Sequence, residues 1–323
     1  MAACHDRVVT RDQSRLAYAA WITICLVWGT TYLGIRVALD TFPPALLGGI
    51  RFTIAGGLLT IWLVLRGRRL PPVHAWPSLA IAGTLLLALG NGLVVLAEQW
   101  VPSGIAAVMV ASAPFWMSGM EAMARGGEPM TARTTAGLCV GFAGIVLLVW
   151  PNLTGAGGVT GHAFIGVVAL QAACVGWSLG STYTKRYAPA TDALTASALQ
   201  MLFGGLVLLA VGTVIGEWSR ITLSQRSVIA ELYLIVVGSW IGYSAYVYAL
   251  QHLPVSTVSM YAYVNPVIAV LLGTWLLDEP FGLRVVIASA MVLLGIAIVR
   301  SGKGAIGAGV GGGPRKVRRE VVT

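Results

Sequence analysis

Very few side chains in this sequence can carry charge or donate protons inside its apolar runs. Arg51 stands in "GGIRFTIAGG", Glu98 in "VLAEQW" and Glu121 in "GMEAMAR". The deep uncharged polar groups are Asn91 and Asn265. The four His, at 5, 74, 162 and 252, fall in tails or between the runs, and Cys4, Cys25, Cys139 and Cys174 have no metal-ligand spacing. No nucleophile with an adjacent base, and no cluster of catalytic carboxylates, can be assembled from such a set. No catalytic residue, metal or cofactor is expected. The chemistry within reach is recognition by hydrogen bonds and ring faces, charge pairing, and coupling to a proton.

The apolar runs determine where these groups sit. Of 323 residues 57% are apolar and 10% charged, with mean hydropathy +0.82. An ordinary soluble domain carries roughly 25% charged residues. A spanning helix takes about 20 mostly apolar residues, and ten such runs are present: 16–37, 45–65, 76–96, 103–124, 134–150, 164–183, 193–215, 228–250, 255–277 and 281–299. They are continuously apolar rather than alternating, which excludes a membrane β-barrel. The first run is long for the core of a secretory signal and nine more follow it, so it is read as a retained span. The fold class is therefore all-α integral membrane, with the lipid bilayer as partner.

Basic residues set the orientation. With the N-terminus in the cytoplasm, sixteen Lys and Arg fall on the inner side and only Arg36, Arg220, Arg226 and Arg284 on the outer, so both termini are expected to be cytoplasmic. The net charge of +9 is distributed as topology demands, and no nucleic-acid partner is expected. The end of the chain, "GKGAIGAGVGGGPRKVRREVVT", is Gly-rich and then basic, a composition that does not pack.

The chain also repeats itself. An offset of 149 residues lays Trp28 on Trp177 and Gly56 on Gly205; an offset of 152 lays Pro102 on Pro254 and Pro114 on Pro266; an offset of 151 lays Glu128 on Glu279 and Gly144 on Gly295. Five spans are followed by five of the same kind. Because five is odd, the second set enters from the opposite side, giving two inverted repeats (5+5) around a pseudo-twofold axis in the membrane plane, a plan used by secondary transporters. The divisions expected are a tail over 1–15, repeats over 16–150 and 151–300, and a Gly-rich basic tail over 301–323.

Individual residues acquire roles within this frame. Pro114 and Pro266 fall mid-span, where each lacks an N–H and crowds the carbonyl four residues back, at Val110 and Ala262. They are hinge candidates, with a packing kink as the alternative. Arg51 lies about six residues, or roughly 9 Å, from the end of its span. It must reach outward or meet an anion, and Glu98 at similar depth makes a charge pair or gate. Glu121 is expected to pair with Arg125 one turn on. The aromatic residues Trp28, Tyr32, Trp116, Trp177, Tyr246 and Tyr263, with Asn91 and Asn265, are the cavity candidates; Tyr243 and Tyr261 accompany them. Such a pocket suits a flat or amphipathic solute, or an organic cation over ring faces, and disfavours a sugar phosphate. Gly137, Gly141 and Gly144 allow close helix packing, internal or in a dimer, and the oligomeric state stays open between monomer and homodimer.

The stretches "WGTTYLGIR", "PPALLGGIRF", "GNGLVVLAEQWVPSGIAAVMVASAPFW", "GWSLGSTY" and "SMYAYVNPVIAVLLGTWLLDEP" resemble the EamA-type permeases of the drug/metabolite transporter superfamily, and within it the YedA-like subgroup. The resemblance covers about residues 16–300. It implies a ten-helix carrier of the bacterial-type inner membrane, typically an exporter of metabolites, amino acids or drug-like compounds.

The function expected is secondary transport of a small organic solute by alternating access, with a proton, an exchanged solute or neither as the coupling partner. The alternative is a membrane receptor or sensor that binds the solute without moving it; a receptor gives no reason for an inverted duplication. Replacing Pro114 or Pro266 by Ala should leave membrane insertion intact and reduce solute flux in liposomes. Unchanged flux in both variants would reduce the prolines to packing kinks.

Overall fold

A computed structural model describes residues 11–101, 106, 109–154, 161–187, 191–268 and 283–309, and all regular structure among them is helical. The elements are α1 (Arg11–Ala38), α2 (Pro44–Leu65), α3 (Val73–Ala97), α4 (Ala113–Met123), α5 (Ala132–Thr154), α6 (Gly161–Tyr187), α7 (Ala193–Val214), α8 (Gln225–His252), α9 (Val255–Val258, resuming over 261–268) and α10 (Leu283–Gly309). Of these α1, α2, α3, α6, α7 and α8 are long and apolar enough to cross a membrane, and α5 and α10 contain shorter apolar stretches. The expected fourth and ninth spans lie only partly within the described residues. Pro102, Glu279 and the basic tail beyond Gly309 lie outside them.

Local chemistry sets the helix ends. Pro44 opens α2 at a position where its missing N–H costs nothing. Asp192 caps α7, its Oδ1 accepting the Thr195 N–H at 3.1 Å, and Ser224 caps α8 by accepting the Ser227 N–H at 3.1 Å. Gly216, at φ 75°, takes the left-handed conformation that stops α7. Large apolar side chains such as Leu33, Leu65, Val214 and Leu293 remain exposed on the outside of the bundle, as a lipid-facing surface requires.

Two seams join helices that the repeat offsets equate. α2 packs most extensively on α7, and α5 on α10. A Cβ added to Gly49 would stand 2.6 Å from Leu209 N, and one on Gly56 would strike the backbone at Leu202, so numbering falls along α7 as it rises along α2. On the other seam a Cβ on Gly137 would meet Gly295 O at 2.8 Å, and one on Gly144 would meet Ala288 O at 2.8 Å. Both seams are antiparallel, and both depend on glycine to bring backbones together. The α5 glycines are thus used internally, against α10. The remaining packing is exchanged in the same way, with α1 lying on α8 and α6 on α3.

Four irregularities break the spans. Residues Thr84–Asn91 of α3 and Leu234–Tyr243 of α8 are wound as π-helix, at positions about 150 residues apart that the repeat equates. Such turns insert an extra residue and release backbone groups from the usual ladder. The stretch leading into α4 breaks at Ala111 and Ser112, and α9 breaks at Ser259 and Met260.

The prolines sit unequally in the two breaks. Pro114 occupies the first turn of α4, where no N–H is needed. Pro266 lies six residues beyond the α9 break, inside the resumed helix. The carbonyl met by a neighbour at the first break is also Met109's rather than the expected Val110's, since the chain has already left the helix by Ser112. Gln171 Nε2 of α6 reaches Met109 O at 3.4 Å, and Ser112 Oγ reaches it at 2.7 Å. At the α9 break, Trp21 Nε1 of α1 donates to Val258 O at 3.3 Å. Since Met109 and Val258 are themselves 149 apart, the breaks match although the prolines do not.

The seams make a direct prediction. Gly56→Leu or Gly205→Leu forces a side chain into backbone and should destabilise the fold by about 1–3 kcal/mol, read as a lower melting temperature in detergent. Gly119→Leu, whose Cβ would meet nothing within 4 Å, should melt like the unaltered protein.

Candidate functional site

A cavity of about 80 Å³ lies where α1, α2, α3, α6, α8 and α9 converge, next to Val110 and Ala113 at the α4 break. That volume holds on the order of six waters. Its wall rises along α1 from Trp28 through Thr31 and Tyr32 to Ile35, and along α3 from Leu87 through Gly90 and Asn91 to Val94. The cavity therefore lies toward the end of the bundle that carries Arg36 and Glu98.

Its floor is a packed aromatic cluster. Trp28 and Trp177, the pair equated by the 149-residue offset, meet edge to face with ring centres 5.4 Å apart. Tyr246 lies 5.3 Å from Trp28 and 5.0 Å from Trp177, while Tyr261 lies 5.0 Å from Trp28. Edge-to-face pairs of this kind add about 0.5–1.5 kcal/mol each beyond burial. The π-helical stretches make room for the two indoles: a Cβ on Gly242 would come within contact of the Trp28 ring, and one on Gly90 would stand 2.9 Å from the Trp177 ring. Trp28 Nε1 also donates to the Gly238 carbonyl, inside the α8 π-helix, at 3.1 Å.

Arg51 is the one charged residue among the described lining residues and is only 3% exposed. Its Nε donates to Ser239 Oγ at 2.8 Å and its guanidinium lies 4.7 Å from the Phe52 ring centre. Its Nη1 has no hydrogen-bond partner among the described residues. A side chain at position 238 would collide with the guanidinium, so Gly238 makes its berth. The expected pair with Glu98 does not form. Depth along a span was the only basis for that pairing, and Arg51 turns instead toward α8. The Glu98 main-chain carbonyl accepts from Arg36 Nη1 at 3.0 Å, while its carboxyl oxygens are buried without a partner among the described residues.

The opposite end of the bundle is held by polar contacts. Glu128 Oε1 accepts the Val255 N–H at 3.0 Å and Oε2 accepts from Ser256 Oγ at 2.8 Å, capping α9 from the segment between α4 and α5. Lys185 Nζ lies 3.8 Å from Glu128 and donates to Leu253 O at 2.8 Å. Glu121 pairs with Arg186 of α6 at 2.5 Å, not with Arg125, whose carbonyl accepts from Arg186 Nη1. Sequence proximity suggested Arg125, but the α4 helix ends at Met123 and carries that side chain away.

A model of the EamA-like transporter family matches residues 15–150 and 164–301. The chain belongs to the EamA-like transporter family. It is 35% identical over 287 residues, 88% of its length, to a protein of Escherichia coli (strain K12) named "Uncharacterized inner membrane transporter YedA", of which 91% is covered. To the "Uncharacterized transporter YvbV" of Bacillus subtilis (strain 168) it is 27% identical, with 86% of this chain and 89% of that protein covered. A protein crystal structure shares the fold with TM-score 0.74 at 22% identity, over 90% of this chain and 98% of that one. The chain is an EamA-type membrane transporter of the inner membrane.

Within this EamA fold, Trp28, Tyr32, Asn91, Trp177, Asn265 and Arg51 come together on the cavity wall. With its side-chain nitrogen turned toward them, Asn265 bridges the carbonyls of Tyr261 and Cys25 at 3.0 Å each, tying α9 to α1. Tyr246 lies one layer below the cavity, its hydroxyl 2.5 Å from Ser181 Oγ. Tyr263 faces away and donates to Leu138 O of α5 at 3.0 Å. Trp116 lies outside the cavity, exposed, with Nε1 donating to Gln171 Oε1 at 3.1 Å. Pro114, Pro266 and Glu98 also lie off the wall. In two places the neighbouring aromatic residue lines the cavity instead, Tyr243 for Tyr246 and Tyr261 for Tyr263, and Thr31 and Cys174 join them.

Trp28 is the test of this floor. Trp28→Phe keeps a ring but removes the donor to Gly238 O, and should cost about 1–3 kcal/mol; Trp28→Ala also empties the cluster and should cost about 3–5 kcal/mol. Melting temperatures should fall in that order, and equal melting of both variants with the unaltered protein would show that the cluster does not anchor the floor.

Proposed function

We propose that this protein carries a small organic solute across the inner membrane by alternating access, in the direction of export. Its ten spans form two inverted five-helix halves, residues 16–150 and 151–300, between cytoplasmic tails over 1–15 and 301–323. The observation that carries this reading is the placement of the cavity. It sits where equated helices cross, extends toward the Arg36 and Glu98 end, and is separated from the other end by the aromatic floor and by the Glu128, Lys185 and Arg186 contacts. By the distribution of basic residues the Arg36 end is the outer face. The conformation is then open outward, and exchange of the two halves' roles would open it to the cytoplasm.

Coupling follows from which acids are near. Glu231, in the first part of α8, and Glu98 are both buried with carboxyl oxygens that meet no hydrogen-bond partner among the described residues. A coupling proton, where one is used, has its place at these two carboxyls.

Comparing metabolites in overexpressing and deleted cells should identify solutes depleted from the cytoplasm on overexpression. In proteoliposomes those solutes should move with saturable kinetics. Flux accelerated by an imposed pH gradient, and no longer accelerated in Glu231→Gln or Glu98→Gln, supports the proton; flux indifferent to the gradient leaves exchange or facilitated movement. A solute bound by the purified protein but never moved would turn the reading to a receptor.

A further inference from the structure

The transporter reading leaves the solute's chemistry open, and the wall of the cavity narrows it. Arg51 is its only formal charge among the described residues, and no acidic side chain lines it. The guanidinium is almost wholly buried, is held at Nε by Ser239, and leaves Nη1 without a hydrogen-bond partner among the described residues. A buried guanidinium with an idle donor is a costly arrangement that a bound anion would relieve. Glu231 attracts Arg51 electrostatically without forming an ion pair with it among the described residues. A second idle group lies on the same wall: Asn91 is a lining residue, and its Oδ1 is buried and meets no donor among the described residues.

We propose that the cavity is built for a small monocarboxylate carrying one neutral hydrogen-bond donor. The carboxylate meets Arg51 Nη1, a hydroxyl or N–H meets Asn91 Oδ1, and the body of the solute lies against Trp28, Trp177 and Tyr261. This deepens the transport reading and rests on it for the movement, though not for the binding. An organic cation finds rings here but also the Arg51 charge, which repels it. A zwitterion finds no acid for its ammonium, and a phosphate monoester brings two charges to one guanidinium. The duplication points the same way, because at the offset that lays Gly56 on Gly205 the counterpart of Arg51 is Gln200, buried and committed through Oε1 to the Tyr243 hydroxyl at 2.9 Å. The cation therefore belongs to one half only, and the solute is held in one orientation.

The test uses the full chain in detergent and probes matched in shape: 4-hydroxyphenylacetate, its neutral amide, phenylacetate, tyramine and tyrosine, with lactate and lactamide as a compact pair. In at least one pair the acid should bind roughly tenfold or more tightly than its amide, and tyramine and tyrosine should bind more weakly than 4-hydroxyphenylacetate. Arg51→Met and Arg51→Gln should bring acid and amide within about twofold, chiefly by weakening the acid; Arg51→Lys should keep a reduced preference. Asn91→Ala should erase the advantage of 4-hydroxyphenylacetate over phenylacetate without erasing the preference for acid over amide. No preference for the acid in either pair, a preference for tyramine, or equal weakening of acid and amide by Arg51→Gln would overturn the proposal. Acid that binds through Arg51 but is never moved in proteoliposomes overturns transport and leaves this site standing. Flux of neutral or cationic probes indifferent to Arg51 does the reverse.

Discussion

Lipid offers no hydrogen-bond partner, so every backbone group released within a span has to be met inside the protein. That constraint explains where the polar side chains of this chain are spent. The α4 break sends a carbonyl to Gln171, the α9 break sends one to Trp21, and the α8 π-helix gives Gly238 O to Trp28. Trp240, in the same π-helix, returns a donor to Ala55 O of α2 at 2.6 Å. Each partner lies on a different helix from the group it satisfies. The irregular backbone therefore doubles as the set of cross-links that fixes α1, α4, α6, α8 and α9 around the cavity, and a lost partner would strand a buried carbonyl as well as loosen a contact.

The same helices cannot be rigid everywhere if the cavity is to face both sides in turn. The seams α2 with α7 and α5 with α10 bring backbones into close approach over their length, with glycine at each crossing. They join helices that the repeat equates and run antiparallel, which is the relation expected for a twofold axis passing through them. Helices on the axis move least when the two halves exchange roles. In the alternating-access reading the elements that move are α1, α3, α6 and α8, which meet through ring faces, hydrogen bonds and close glycine packing such as Gly176 against Leu89 and Gly180 against Leu86.

Much of this arrangement was legible in the residues. Composition and run length determined the class, and the offsets of 149 to 152 identified Trp28 with Trp177 and Gly56 with Gly205 before any geometry was known. What failed was azimuth. Tyr261 and Tyr263 are two residues apart, and on a helix that places them on nearly opposite sides; depth could not say which faces inward, and Tyr263 turns to α5. Tyr243 stands at the end of a π-helix, which shifts the helical phase of everything after it, so a 3.6-residue reading of α8 cannot rank it against Tyr246. The π-helices themselves left no local signal in "TLLLALGN" or "LIVVGSWIGY" beyond glycine. Arg51 was read at the right depth and given the wrong partner for the same reason.

Duplication makes two similar walls, and function needs them to differ. A site with perfect twofold symmetry would hold an asymmetric solute equally well in two opposed orientations, and its charged group would have to be received on both sides. Here the equated positions diverge where charge is involved: Arg51 against Gln200, one a buried cation with an idle donor and the other a neutral amide whose oxygen already accepts from Tyr243. Where packing is involved some equated residues are kept, as in Trp28 with Trp177, Cys25 with Cys174, and one glycine pair in each seam, Gly56 with Gly205 and Gly144 with Gly295. In the alternating-access reading the scaffold is thus the symmetric part of the molecule, and recognition belongs to the positions where the repeats no longer agree. The single cation on the wall has no second cation at the equated position, and at short range in a low-dielectric interior its field orients the charge that approaches it.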